Sequence, residues 1–339
     1  MKRTVITVIL TLAFTAFAIH AVEQTAFKGA GIIESSAGGF KFPDGSVQAT
    51  AVTPACAGIT YVPFTISSPG VYCFTGNLEI SATSGNAIDI QSDNVVIDMN
   101  GWTLSGLGAG TGTAHYGFNA WQRKNITIRN GTIQGFYMGI RFYDNHPYSA
   151  SQGHLIEDVR IDRSTYIGIS VAGRGNIIRR NQIVETGGST LNYDATGIEV
   201  NGPSSRIFNN DISYTEATST GTAFGVRLDQ GRDSVIENNR IHWVHSDAGA
   251  TYGVDVTASS AVVVESNKIT TIYGVTTDDF GVFISDANQD VMVVGNRIAN
   301  AQYGVYYANT ESWAGAYRDN IAHAIHPYTN GYDAGNNHF

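Results

Sequence analysis

TGIEV (residues 196–200) with RIFNNDI (206–212) is followed by FGVRL (224–228) with SVIENNRI (234–241), YGVDV (252–256) with VVVESNKI (262–269), and FGVFI (280–284) with VMVVGNRI (291–298). These are four versions of one phrase. Its glycines, Gly168, Gly197, Gly225, Gly253 and Gly281, are spaced 29, 28, 28 and 28, and its asparagines, Asn181, Asn210, Asn239, Asn267 and Asn296, are spaced 29, 29, 28 and 29. A period this short cannot close a core of its own, so it predicts coils that stack and bury one another.

Within a repeat, a Gly-led strand alternates with period two, a β-branched strand follows, and Asn-x-Ile bends the chain into a third. Three strands and three bends make a triangular turn. Aligned turns place Ile178, Ile207, Ile236, Val264 and Val293 in one inward row, and Ile183, Ile212, Ile241, Ile269 and Ile298 in another. Asparagine tolerates the left-handed conformation of a bend, and its amide can bond the same amide one coil away, ~4.8 Å along the axis. An asparagine ladder is expected, interrupted at coil three, where Val159 takes the asparagine position.

These residues resemble the right-handed parallel β-helix family of pectate lyases, polygalacturonases, mannuronan epimerases and many secreted surface proteins. The resemblance runs from about Gly85 to Ala322 and implies an all-β, single-stranded solenoid; the chain's length supports about nine coils, ~40 Å long. It implies little about function, since this fold carries unrelated activities. A helical solenoid is the alternative, but Gly- and Asn-rich, leucine-poor repeats with β-branched triplets speak against it.

Two basic residues, an apolar run from Val5 to Ala18 and small residues after it read as a signal peptide (1–21) cleaved near Ala18 or Ala21. The run is too short for a transmembrane segment, so the expected location is secreted, periplasmic or cell-surface. Residues 22–54 contain GGFKFPDGSVQ, a hairpin-like appendage turning at Pro43-Asp44-Gly45, similar to a segment on assorted secreted β-helical and tail-fibre-like proteins. Cys56 and Cys73 are the only cysteines, and an even count in an exported chain predicts one disulfide, worth about 3 kcal/mol by loop entropy. It would staple an N-terminal cap over 55–84. Residues 85–322 form the β-helix, and residues 323–339, which lose the pattern, form a C-terminal cap.

The net charge is −9 with only 14% charged residues, and no basic stripe is present, so nucleic acid is not an expected partner. Polysaccharide is. Position +2 after each glycine faces outward, giving Asn119, Arg141, Ser170, Glu199, Arg227, Asp255, Phe283 and Tyr306; position +4 gives Trp121, Tyr143, Ala172, Asn201, Asp229, Thr257, Ser285 and Ala308. Charges cluster in the middle and aromatic rings at both ends, as in a groove whose ring faces carry sugars and whose polar groups meet hydroxyls and carboxylates. Trp121, Arg141, Tyr143, Asn201, Phe283 and Tyr306 are the candidate binding residues. Loops after the third strand, at Thr186–Asp194, Tyr214–Thr222, Trp243–Tyr252 and Tyr273–Phe280, are expected to wall it.

Whether this is an enzyme stays open in the sequence. In a lyase or epimerase, Arg141 or Arg227 would neutralise a uronate carboxylate, His242 or His245 from an overhanging loop would move the proton, and Glu199 with Asp229 or Asp255 could hold Ca²⁺. In a hydrolase, Glu199 and Asp255, two coils or ~9 to 10 Å apart, would suit an inverting pair. Neither the Asn-Thr-Asp, Asp-Asp and Gly-His-Gly set of polygalacturonases nor the Asp-Pro-His-Asp phrase of mannuronan epimerases is found in its usual arrangement. The competing reading is a non-catalytic adhesin or envelope β-helix in which Glu199, Arg227 and Asp255 are a cross-strand charge ladder. His115, His146, His323 and His326 read as surface or cap residues. Copper handling would need clustered His, Met or Cys, and the chain has four methionines. Oligomeric state is not legible.

Overall fold

The computed structural model of the protein describes residues 40–41, 47–48, 56–275 and 278–339. The chain divides into the units Met1–Thr53 and Pro54–Phe339. In the first, Phe40–Lys41 pairs antiparallel with Val47–Gln48. The expected signal peptide and its expected cleavage sites fall outside the described residues. The second unit is an all-β parallel solenoid of about nine turns, with two short 3-10 segments as its described helical elements.

Three parallel sheets run along it. The Gly-led sheet contains Ala114–Trp121, Met138–Tyr143, Ile167–Ala172, Ala195–Asn201, Ala223–Asp229, Thr251–Thr257 and Asp279–Ile284, each hydrogen-bonded to its equivalent in the next coil. The middle sheet contains short strands such as Arg206–Phe208 and Val235–Glu237; the Asn-led sheet contains Gln182–Gly187, Asp211–Ala217, Arg240–Ser246 and Lys268–Gly274. Both predicted isoleucine/valine rows point inward and are at most 2% exposed. Glycine opens the phrase because there is no room for a side chain: a Cβ on Gly225 would lie 2.5 Å from Ile241 Cγ2 and 2.6 Å from the Gly253 carbonyl oxygen.

The ladder exists, but asparagine is not there for the left-handed backbone. That conformation belongs to the residue before it, Arg180, Asn209, Asn238, Ser266, Gly295 and Asp319, all with φ between 54° and 64°. The ladder asparagines themselves turn inward, 0–2% exposed, and each donates both its backbone N–H and its Nδ2 to the next Oδ1. At Val159 only the backbone N–H reaches Asn181, so the ladder starts one coil later, as its sequence requires.

Cys56 and Cys73 are bonded to each other. The solenoid extends past both expected ends. Phe64–Ile66, Gly70–Phe74 and Leu78–Glu79 pair in parallel with the following coil, so the described part of the expected cap, residues 56–84, is itself a coil. At the other end Ile321–Thr329 pairs with the preceding coil and Asn337 accepts the last ladder bonds from Asn320. The spacing shrinks there, and the inward positions are filled differently, Ala322 following Ile298 and Tyr328 following Val305.

Candidate functional site

The +2 and +4 rows fall in the predicted register, Ser170 beside Glu199 and Glu199 beside Arg227, with Asn201 beside Asp229 and Arg227 beside Asp255. Arg227 lies between its two carboxylates, 3.7 Å from Glu199 and 3.7 Å from Asp255, with its guanidinium 5.1 Å from the Phe224 ring centroid. Its Nε is buried without a hydrogen-bond partner. Ser170 Oγ donates to Glu199 at 2.8 Å, and Thr257 Oγ1 donates to Asp255. Asp255 is only 5% exposed, and burial raises its pKa to about 6 against the pull of Arg227.

One outward row was missed. The residue before each glycine also faces out, and Phe224, Tyr252, Phe280, Tyr303 and His326 stack ring on ring at 5.0–5.2 Å with interplanar angles of 9° to 24°. Its signal stood in the quoted phrases, as F-G, Y-G and F-G. Phe283 and Tyr306 stack the same way, at 5.6 Å and 8°, with edge contacts to the first stack. Their faces are turned to one another, leaving a sugar the ring edges instead of the expected platforms.

The other end of the face is arranged differently. Trp121 and Tyr143 are 47% and 36% exposed, with centroids 4.8 Å apart and planes tilted by 51°. Beside them the Arg141 guanidinium lies 4.8 Å from the Tyr116 ring and 4.7 Å from the Tyr143 ring and donates to Asn119 Oδ1. Among the described residues Arg141 has no ion pair. It lines a cleft of about 260 Å³ together with Tyr143, Tyr148, Ser170, Glu199 and Asn201.

The roof of that cleft is the segment after the coil-three Gly-led strand, residues 144–150. Buried Asp144 fixes it by accepting from the backbone N–H groups of Asn145, Ala150 and Ser151, each at 2.9 Å, and from Gln122 Nε2. Tyr148, at φ 58°, reaches over to coil five, where a Cβ on Gly202 would lie 3.3 Å from its own Cβ. Burial raises the pKa of its phenol, with Asp229 and Glu199 adding to the effect.

The expected walls are different in kind. The segments beginning at Thr186, Tyr214, Trp243 and Tyr273 start as strand, because the Asn-led strands run on in register to Gly187, Ala217, Ser246 and Gly274. His242 and His245 therefore belong to the Asn-led sheet and not to a loop over the Gly-led face. His242 bonds Thr270 Oγ1, and His245 bonds the Tyr273 carbonyl and stacks on its ring at 4.5 Å. His115, expected at the surface, is 2% exposed. His154, equally buried, is held between Ser151 Oγ and the Ile126 N–H, and burial lowers its pKa to about 4.

The family described as "Right handed beta helix region" matches residues 148–328, and "Periplasmic copper-binding protein (NosD)" matches residues 57–224. No curated protein matches. Among solved structures, the A-module of the mannuronan C-5 epimerase AlgE6 of Azotobacter vinelandii is similar over 82% of this chain and 89% of that one, at 13% identity and a TM-score of 0.51. The Dettilon tailspike protein is similar over 82% and 60% at 13% identity and 0.47, and PfbA, a surface adhesin of Streptococcus pneumoniae, over 83% and 84% at 10% identity and 0.42. At these identities the likeness is one of fold.

The donor set does not suit copper. The two cysteines are consumed in a disulfide, His154 is tied on both nitrogens, and among the described residues no three His, Cys, Asp or Glu side chains are grouped to hold a metal. Between Glu199 and Asp255 the guanidinium of Arg227 already supplies the positive charge a Ca²⁺ would bring. No described helix is long and apolar enough to cross a membrane.

Proposed function

The chain belongs to the right-handed β-helix family, and on that premise we propose that it is an extracytoplasmic protein that binds or modifies an acidic polysaccharide in the cleft over the Gly-led sheet. The observation that carries this reading is Arg141. A guanidinium seated between two rings, with no carboxylate partner among the described residues, is preorganised for a sugar carboxylate, which it can take through two parallel hydrogen bonds. Arg227 is already shared by two carboxylates, so its positive charge is largely satisfied. The disulfide supports an oxidising compartment.

Asn201, Ser170 and Glu199 offer hydrogen bonds to hydroxyls along the same cleft, and Trp121 and Tyr143 extend it with exposed ring surface. Where a sugar is turned over there, Glu199, the His146 imidazole and the Tyr143 and Tyr148 phenols are lining groups able to exchange a proton; Asp144 is occupied by backbone N–H groups, and Asp255 is too buried to touch a substrate without rearrangement. A purely structural, adhesin-like role is favoured by one fact. The aromatic rows and the Glu199–Arg227–Asp255 row are complete without any ligand.

Titration calorimetry with oligouronate hexamers, read alongside 235 nm absorbance for unsaturated product, separates the readings. Binding that Arg141→Ala abolishes with unchanged melting supports the cleft, and an absorbance rise would make it a lyase. Absence of uronate binding to the wild type would leave the structural role.

A further inference from the structure

Each Asn-led strand bends a second time, four residues after its ladder asparagine, at Glu185, Tyr214, Trp243, Thr271 and Asn300, whose φ values lie between 54° and 61°. Asparagine is at home in that conformation. Tyrosine and tryptophan are not, and the chain nevertheless places Tyr214 and Trp243 there, on adjacent coils, with their rings turned out at 5.8 Å. Trp243 is pinned on its far side by Tyr273, edge-on at 5.3 Å, and by a hydrogen bond from Nε1 to Glu216 at 2.8 Å.

The run of rings Tyr273, Trp243, Tyr214 stops abruptly. One coil toward the N-terminus the corresponding position is Glu185, and it is followed by Gly187 and Gly188. The result is a cleft of about 400 Å³, bounded by Tyr214, Glu185, Glu216, Thr218 and the glycine pair, within the size range of small-ligand sites. Tyr214 is 43% exposed and borders this space, so its ring is the last of a run of tilted and edge-on rings, with the next place open. Among the described residues no lysine or arginine lines the cleft.

We propose that this corner is a second carbohydrate site, separate from the Arg141 cleft and specific for an uncharged sugar unit. The ring of such a sugar continues the aromatic run by laying its C–H face on Tyr214, and its hydroxyls donate to the carboxylates of Glu185 and Glu216. The same two carboxylates repel a uronate. The proposal does not depend on the reading of the Gly-led cleft, which lies on another sheet and selects the opposite charge.

The test uses the mature protein and a panel of neutral hexasaccharides, the cello-, malto-, manno- and xylo-oligomers, by titration calorimetry. At least one is expected to bind, with an affinity insensitive to salt and to Arg141→Ala. Tyr214→Asn is the informative variant, because asparagine suits the left-handed backbone better than tyrosine does. Loss of neutral-sugar binding by tenfold or more, with melting unchanged or raised, supports the site. Failure of every neutral hexasaccharide to bind overturns it, and so does a Tyr214→Asn protein that keeps wild-type affinity or melts markedly lower, since the ring would then be a packing element.

Discussion

Asn239 Oδ1 accepts two hydrogen bonds from Asn210, one from its backbone N–H and one from its Nδ2, both at 3.0 Å. The remaining Asn210 amide hydrogen goes to the Ile178 carbonyl one coil back. Each ladder amide is thereby fully used in a buried site. Replacing Asn239 by valine, the residue the chain itself carries at position 159, strands two buried donors of Asn210 and leaves the Ile207 carbonyl without its bond. A loss of about 3 kcal/mol or more is expected. Denaturant unfolding of Asn239→Val checks it, and a cost under ~1 kcal/mol would mean that water or relaxation repairs the gap.

The two aromatic populations should separate by experiment. Phe280 stacks on both Tyr252 and Tyr303 and is 7% exposed, so Phe280→Ala should cost about 3 kcal/mol by cavity formation and lost ring contacts. Trp121, 47% exposed at the end of its row, should cost under ~1 kcal/mol when truncated, yet weaken oligouronate binding. Melting curves and calorimetry on the two variants give the comparison. Equal destabilisation would refute the division of the face into a packed half and a binding half.

The fold was legible because solenoid packing repeats its instructions. Gly225, Asn239 and Ile241 each announce a position that every neighbouring coil must match, so period and residue type carried the same information. The site was legible only in part, because outward positions are freed from that constraint. Register placed Glu199, Arg227 and Asp255 correctly, but nothing local distinguishes a shared guanidinium from an unpaired one, so the sequence named Arg141 and Arg227 side by side, and only the Tyr116 and Tyr143 rings around Arg141 and the two carboxylates around Arg227 tell them apart. His242 and His245 were misplaced because the Asn-led strands outlast their apolar pattern, and a polar strand end reads like a loop. The roof loop at 144–150 escaped notice since its anchor, Asp144, bonds backbone groups and leaves no periodic trace.

Two buried groups give opposing pH dependences. His154 has its pKa lowered to about 4 from 6.5, so its contribution is present above pH 6.5 and is lost as the pH falls through about 4. Asp255 has its pKa raised from 3.8 to about 6, so its contribution is present below pH 3.8 and is lost as the pH rises through about 6. Each spans about 3 kcal/mol, and between pH 6 and pH 4 they offset one another. Asp255→Asn should therefore raise stability at pH 8 by about 2 kcal/mol, leave it nearly unchanged at pH 4, and expose the acid sensitivity that His154 confers. Unfolding free energies at the two pH values check the sign; a variant destabilised at pH 8 would show that the ion pair with Arg227 outweighs the burial of the carboxylate.

The last expectation sets the two arginines of the Gly-led face against each other. Arg227 has Glu199 and Asp255 for partners, and the Asp255 side it touches is buried, so Arg227→Ala leaves a buried carboxyl without its cation. That carboxyl can take up a proton instead of staying charged, which limits the damage at pH 7 to about 1–2 kcal/mol and moves the Asp255 titration further up. Arg141 has no such partner among the described residues; Arg141→Ala removes a guanidinium whose contribution to folding is its packing on two rings, on the order of 1 kcal/mol. Binding should rank the other way. A sugar carboxylate meets Arg141 without competition, so Arg141→Ala should cost tenfold or more in oligouronate affinity while Arg227→Ala costs severalfold at most, and the Arg141 effect should shrink as salt is raised. An Arg227→Ala protein that keeps its stability and loses all uronate affinity would reverse the assignment and move the binding centre three coils along the solenoid.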